Sequence, residues 1–303
     1  MRELARRYGL TLAAIFGGLT AFWLLALVVL PYFFLAETSF RHYLPVDQVG
    51  GPNDTFTLSN YLTFVSSSST TPFLFLNVPI HVYIFVETVL FSSVVTVVTF
   101  SLAYPLAYFL SKVANVKTVP TLFLLLLIPL WVSEILRSFA WYIILSYQGP
   151  LNALLSVFGL HQVRWLTAYN GVIIGLVYTY VLFMLFPIYN AISTLDTNQI
   201  EAAQDMGAKW WQIHRRIILP HSKPGVASGC VMVFMLSAGS IIVPSLLASP
   251  SSRWFTEVIQ QWMFESQDWN TGSAYAFLLL LICTVFVSIM MRVFKVRLAD
   301  IAQ

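Results

Sequence analysis

Charged residues are scarce in this chain. Only 10% of its 303 residues are Asp, Glu, Lys or Arg, whereas 58% are hydrophobic. A soluble domain carries about 25% charged residues, because charge covers the surface that faces water. The deficit excludes an ordinary soluble protein and indicates that membrane lipid surrounds much of the chain. The net charge of +3 is also too small and too scattered to indicate nucleic acid as a partner.

Cysteine is rare as well. The two cysteines, Cys230 and Cys283, lie in apolar stretches without CxxC spacing, so they are interpreted as small core residues. The histidines are dispersed without the spacing of metal ligands, and we predict no metal site. They are His42, His81, His161, His214 and His221.

Three catalytic signatures are missing. The chain contains no GxxxxGK[ST] motif to cradle nucleotide phosphates, no HExxH motif and no GxSxG motif. We therefore predict no catalytic residue and no cofactor on this chain. A transport step driven by ATP would need a separate subunit to hydrolyse it.

The chain does contain a series of long apolar runs. A membrane-spanning helix needs about 20 apolar residues, and the runs predict an all-α membrane protein with six transmembrane helices in a single domain. Two polar stretches interrupt them, a predicted external loop at 36–82 and a second stretch at 195–223. The predicted spans are about 10–35, 83–110, 119–136, 170–191, 224–247 and 272–293.

The distribution of Lys and Arg orients these spans. With the amino terminus in the cytoplasm, the predicted inner segments hold twelve of these residues and the outer segments hold four. Short cytoplasmic segments of membrane proteins carry such an excess. Both termini and the stretch 195–223 are therefore predicted to be cytoplasmic.

The stretch 195–223 is amphipathic and lies between two apolar runs. Asn198 is predicted to cap a helix, with Glu201 three residues later in the capping-box position. The two alanines that follow form a smooth face, and Gly207 lets the backbone turn or a partner approach. Trp210, Ile213 and Ile217 recur at helical spacing and are predicted to anchor a second short helix to the membrane side. The pattern predicts a helix–turn–helix that offers a contact face to a partner in the cytoplasm.

The spacing in this stretch resembles the EAA loop of permease subunits in binding-protein-dependent ABC importers. The match is Glu201-Ala202-Ala203, then Gly207 after three residues, then Ile217, Leu219 and Pro220 after nine more. The resemblance implies that the helix fits a cleft on a separate ATPase dimer, which binds ATP and Mg, and passes its closure to the spans. The implied docking residues are Glu201, Ala202, Ala203, Asp205, Gly207, Ile217, Leu219 and Pro220.

Further segments, spread over nearly the whole chain, resemble the type I permeases of spermidine/putrescine importers. They are 57–61, 104–110, 128–131, 149–152, 175–178 and 195–196. The resemblance implies the MetI-like permease fold, half of a translocation pathway for a small solute, and alternating access across the bacterial inner membrane. The implied partners are the cytoplasmic ATPase dimer, an extracytoplasmic solute-binding protein and a second permease, related but different.

Two alternatives stay open at this point. The segments outside the EAA loop recur in relatives with other cargoes, so an amino acid or opine, an organophosphonate or ferric iron competes with a polyamine. The other alternative is a transporter coupled to an ion gradient. Such transporters typically show internal repeats or charge relays within spans, and neither is visible here.

Charges within or beside the predicted spans are candidates for the solute path, because a charge in the membrane usually faces a cavity or a partner. Glu87 lies near the outer end of the second span. Glu134 and Arg137 lie at the outer end of the third, three residues apart, so they contact the solute or simply pair with each other. The resemblance adds Tyr178, Tyr180, Met184, Ser237 and Ser240.

The predicted loop 248–271, after the fifth span, combines acids with aromatic rings. This combination suits an organic cation through ion pairing and cation–π contact. The simpler interpretations are an aromatic belt at the lipid headgroups or a docking surface for the binding protein. The residues are Trp254, Glu257, Trp262, Glu265, Asp268 and Trp269.

Overall fold

The computed structural model describes residues 9–44, 48, 51–52, 54–66, 70–73, 76–249 and 252–295. The chain divides into two compact units, one formed by Met1–Thr70 with Ile259–Leu278 and the other by Thr71–Val258 with Leu279–Gln303. Several residues that carried the orientation argument lie outside the described part, so the orientation stays a prediction. They are Arg2, Arg6, Arg7 and Arg297.

The first unit begins with a long continuous helix. α1 (Leu10–Leu24) passes through a π-helical turn (Leu25–Val29) into α2 (Leu30–Ser39). Pro31 has no N–H to donate to the carbonyl four residues earlier, and the turn before it widens so that the N–H of Leu30 bonds to the Leu25 carbonyl. The helix extends four residues beyond the predicted span 10–35.

The end of α2 is held by two buried or half-buried amides. Asn60 lies in α3 (Ser59–Val65), and its Nδ2 donates to the carbonyls of Ser39 at 2.9 Å and Arg41 at 2.8 Å. Asn270 donates to the Arg41 carbonyl as well, at 3.1 Å. These bonds order the polar residues that directly follow α2.

The remaining elements are a short two-stranded sheet followed by helices. The strands are β1 (Thr70–Phe73) and β2 (Leu76–Pro79). The helices are α4 (Ile80–Tyr108, continued by π-helical Phe109–Val113), α5 (Val119–Trp131), α6 (Glu134–Leu145), α7 (Pro150–Val157), α8 (Asn170–Ser193), α9 (Thr197–Asp205), α10 (Trp210–Ile213, continued by π-helical His214–Ile218), α11 (Leu219–His221), α12 (Lys223–Ala238), α13 (Ile242–Leu247), α14 (Phe255–Gln260, continued by π-helical Gln261–Glu265) and α15 (Trp269–Phe294).

Helices α4, α8 and α12 pack on one another and form the core of the second unit. Glycines bring α12 close to α8. A Cβ added at Gly225 would lie 2.3 Å from the carbonyl oxygen of Pro187, and one at Gly229 would lie 2.6 Å from the sulfur of Met184. Close contact through small residues is typical of helices packed in a membrane.

Two predicted spans are broken. The stretch 119–136 was expected as one helix, but the chain bends by 91° after Trp131. The reason is local: Val132 is extended and the Ser133 hydroxyl caps α6 by accepting the N–H of Leu136. The stretch 224–247 likewise stops at the end of α12 and resumes in α13.

The described residues contain four helices that are long and apolar enough to cross a membrane, or up to six if each of two bent pairs counts as one span. α8 and α15, and α4 with its π-helical end, match the predicted stretches to within three residues at each end. The prediction of a loop over 248–271 is wrong in part, because α14 and its π-helical continuation lie there.

Candidate functional site

Residues 195–223, the coupling segment, begin with α9. The prediction that Asn198 caps this helix is wrong. Asp196 is the cap, and its Oδ1 accepts the N–H of Asn198 at 3.0 Å. Asp196 has the extended backbone that a cap needs, whereas Asn198 already lies in the first turn.

Helix α9 has one buried and one exposed face. Ile200 and Ala203 are each 5% exposed and pack into the core. Glu201, Ala202 and Asp205 are exposed. The sequence placed both alanines on the contact face, and the structure corrects this: Ala203 points into the core and seats the helix.

Gly207 ends α9 with a defined turn. Its φ is +76°. The N–H of Gly207 donates to Gln204 at 2.8 Å and that of Ala208 to Ala203 at 2.9 Å, which is the Schellman arrangement with a left-handed residue after the helix. A Cβ at Gly207 would meet nothing within 4 Å. Backbone conformation, and not packing, requires glycine here.

The second helix of the coupling segment consists of α10, the π-helical turn and α11. Ile213 and Ile218 are buried and face the core. Trp210, predicted on the membrane side, is 66% exposed in the chain. The remaining motif residues are half-buried or exposed: Ile217, Leu219 and Pro220.

Three solute-path candidates meet where two helices are interrupted. The hydroxyl of Tyr180, in the middle of α8, donates to Oε1 of Glu134 at 3.3 Å. The hydroxyl of Ser240, in the gap between α12 and α13, lies near the same phenol but is buried without a hydrogen-bond partner among the described residues. Tyr180 and Ser240 are each 6% exposed, and Glu134 is half-buried. We call Glu134, Tyr180 and Ser240 the phenol cluster.

Arg137 does not pair with Glu134. Although both are described, no ion pair joins them, and the Nε of Arg137 is buried with no hydrogen-bond partner among the described residues. The expectation that these two charges satisfy each other is therefore wrong. Glu134 is bonded to Tyr180 instead.

Several other candidates have structural roles. Met184 is completely buried against α12, so the structure places it in a helix interface. Trp254, one of the aromatic candidates of the predicted loop 248–271, is completely buried, and its Nε1 donates to the carbonyl of Ser237 at 3.1 Å. Tyr178 is 36% exposed and packs edge-on against Trp141.

Two candidate acids of the second unit, Glu87 and Glu257, already have partners. Glu87 accepts hydrogen bonds from the hydroxyls of Tyr83 and, at 2.5 Å, of Tyr169. Glu257 accepts the N–H of Trp254 at 2.9 Å and so caps α14. Burial raises the pKa of Glu257, and that N–H opposes the shift. Within the described residues, no group of three or more His, Cys, Asp or Glu is placed to hold a metal ion.

The first unit contains the other external candidates. Asp268 caps α15 by accepting the N–H of Thr271 at 3.0 Å. Trp262 is half-buried, whereas Glu265 and Trp269 are exposed. The two exposed side chains are the ones in this set that a partner can reach.

Sequence reasoning missed the partners of these residues. Ser133 had a signal, since Pro129 before it and the acid directly after it are typical of a helix that stops and restarts. Tyr169 had none. It lies 82 residues from Glu87, and only the fold brings the two together.

Residues 56–300 match the family described as binding-protein-dependent transport system inner membrane component. The chain belongs to this family. The permease is 31% identical over 274 residues to the spermidine/putrescine transport system permease protein PotB of Escherichia coli strain K12, which covers 90% of this chain and 92% of the relative. The protein of that name from Haemophilus influenzae is 29% identical, covering 94% and 93%.

Solved structures show the fold. The permease matches a chain of a bacterial alginate ABC transporter, in complex with its alginate pentasaccharide-bound periplasmic protein, with a TM-score of 0.71, 20% identity and coverage of 97% and 98%. A methionine ABC transporter in inward-facing conformations matches with a TM-score of 0.52, 19% identity and coverage of 71% and 93%. The permease is thus a multi-pass inner membrane subunit with the fold of ABC importer permeases.

Proposed function

We propose that this permease forms half of the translocation pathway of an importer for a polyamine such as spermidine or putrescine. It crosses the bacterial inner membrane six times with both termini in the cytoplasm. A different permease subunit supplies the other half, a binding protein delivers the solute from outside, and a separate ATPase dimer binds ATP and Mg. The names of its relatives support the cargo, because the matches cover 92% or more of each relative's length.

The observation that carries the mechanism is the geometry of the coupling segment. Glu201, Ala202 and Asp205 form an exposed face with little bulk, and the left-handed turn at Gly207 ends it abruptly. The opposite face is fixed to the core through Ile200 and Ala203. A partner that grips the exposed face therefore moves the membrane helices, and alternating access follows the opening and closing of the ATPase dimer.

The phenol cluster suits the ammonium group of a polyamine. An ammonium donates up to three hydrogen bonds and pairs with a carboxylate. Glu134 supplies the charge, while Tyr180 and Ser240 supply neutral oxygens. Solutes of many transporters bind where helices are discontinuous, as α12 and α13 are here. Arg137 carries a positive charge, as the polyamine does, and the repulsion between them favours release of the polyamine.

The docking role is tested by reversing one charge. In the complete importer in proteoliposomes, Glu201→Lys is expected to lower polyamine uptake about tenfold or more and to weaken co-purification of the ATPase, because a docking carboxylate becomes repulsive. Lys117→Glu, an exposed charge reversal outside the motif, serves as the control. Uptake and co-purification at the native level in Glu201→Lys would overturn the docking role.

The cargo is tested by removing one charge without changing shape. Glu134→Gln is expected to lower spermidine uptake about tenfold while the importer still assembles, because the ammonium loses its ion pair. Glu37→Gln, which only breaks a pair with Arg41, is the matched control. If the purified binding protein instead takes up a phosphonate, an amino acid or ferric iron and no polyamine, the cargo assignment is wrong.

A further inference from the structure

The coupling segment is tied to α4 at two points. At its start, the Nζ of Lys112 donates to the carbonyl of Leu195. In its second helix, the Tyr104 hydroxyl and the Nδ1 of His214 share a hydrogen bond of 2.9 Å. The two attachments flank α9, so the docking helix is held on both sides by the cytoplasmic end of α4.

His214 is built into this attachment. It is 6% exposed, and its ring packs against Tyr108 at 4.5 Å and Trp210 at 4.2 Å between ring centroids. Its Nε2 is buried without a hydrogen-bond partner among the described residues. Burial lowers the pKa of His214, which keeps the imidazole neutral near pH 7. The bond to Tyr104 is therefore a hydrogen bond between two uncharged groups inside an aromatic pocket.

Helix α4 is weak at the point where this tie attaches. Pro105, next to Tyr104, lies inside the continuous helix but has no N–H to give to the carbonyl of Ser101, and a missing hydrogen bond of this kind favours a kink. The π-helical turn Phe109–Val113 follows directly. α4 packs on both α8 and α12, and its π-helical end Phe109–Val113 packs on α8 as well. A force on its cytoplasmic end can thus bend α4 and reach the core.

We propose that His214 is a positioning residue of the transport cycle, which carries movement of the docking face to the cytoplasmic end of α4 and bends it at Pro105. The inference rests on the proposed function, since it needs an ATPase that moves α9. A merely structural role would lower the amount of assembled importer. A positioning role lowers the solute moved per ATP hydrolysed in an importer that assembles normally.

The test compares two substitutions of His214 in the complete importer in proteoliposomes. His214→Phe keeps a ring in the pocket and removes the hydrogen bond, and it is expected to lower polyamine moved per ATP about fivefold, the effect of one hydrogen bond. His214→Asn keeps a polar atom near the position of Nδ1 and is expected to stay within about twofold of the native ratio. Co-purification of the ATPase and the basal rate of ATP hydrolysis should not change.

A second variant removes the same bond from the other side. Tyr104→Phe loses one oxygen atom and is expected to show the same loss. The double variant Tyr104→Phe with His214→Phe should be no worse than either single one, because both remove one shared bond. If His214→Phe does not assemble, Tyr104→Phe decides the question. His161→Phe, at an exposed position, is the control.

The outcomes separate this inference from the proposed function. If His214→Phe and Tyr104→Phe both keep the native ratio, the tie transmits nothing and the inference is wrong. If the native importer neither moves polyamine nor hydrolyses ATP faster with polyamine-loaded binding protein, the proposed function itself fails.

Discussion

The first long helix, Ala14–Ser39, and α8 differ in burial. In the most apolar 18-residue window of the first helix no residue is buried, whereas 61% of the residues in the same kind of window of α8 are buried. The two windows have the same mean hydropathy. Hydropathy reports which surroundings a helix needs, and lipid satisfies that need as well as protein does. Packing depends on shape. The first helix therefore leaves its apolar side chains exposed in the chain, whereas α8 uses them to contact its neighbours.

The largest difference between the first helix and the packed helices is expected when a side chain is added at a glycine. A Cβ at Gly225 would lie 2.3 Å from a backbone carbonyl, whereas one at Gly18 in α1 would meet nothing within 4 Å. Gly225→Val is expected to cost about 3 kcal/mol, because a backbone must move to admit the side chain. Gly18→Val should be nearly neutral. Yield and Tm in detergent measure both, and equal behaviour of the two variants would refute the packing argument.

A matched pair of leucines tests the same difference by removing bulk. Leu185 in α8 is completely buried, and Leu19 in α1 is 55% exposed. Leu185→Ala is expected to cost about 2 kcal/mol, the lower end of the usual range, because lipid solvates the unpacked helix and only the cavity remains. Leu19→Ala should change Tm little. A larger loss for Leu19 would show that a partner covers α1.

The smallest expected effect comes from a glycine that nothing crowds. Gly207→Val should cost about 1–2 kcal/mol locally, because a β-branched residue resists positive φ. Gly207→Asn should cost less, since asparagine tolerates the left-handed region. ATP hydrolysis stimulated by loaded binding protein is the measurement. Equal defects in Val and Asn would mean that the partner needs the missing side chain rather than the turn.

The positions of the long helices could be predicted from the sequence, because apolar length determines them. α4, α8 and α15 appear where hydropathy placed them. The breaks could not be predicted in this way. An apolar run gives no direction to the backbone, and the 91° bend after Trp131 depends on Val132 being extended and on the cap at Ser133.

In the coupling segment, the turn could be predicted from the sequence, but which side chains of α9 are buried and which are exposed could not. Gly207 was expected either to let the backbone turn or to let a partner approach, and its φ of +76° shows the turn. Two adjacent alanines fit one smooth surface in the sequence, but a helix rotates about 100° per residue, so Ala202 and Ala203 point to different sides. Long-range bonds such as Tyr104 to His214 had no local signal, since 110 residues separate them.

The interruption between α12 and α13 leaves main-chain acceptors that a continuous helix would have filled. The carbonyl of Ser237 accepts the Nε1–H of Trp254 in addition to the N–H of Ser240 at 3.3 Å, and the Thr256 hydroxyl donates to the carbonyl of Ser240 at 2.6 Å. Both side-chain donors are buried, and losing such a bond away from water costs several kcal/mol. The segment 254–256 therefore satisfies polar groups of the interrupted helix, and separating the two breaks both of these side-chain hydrogen bonds.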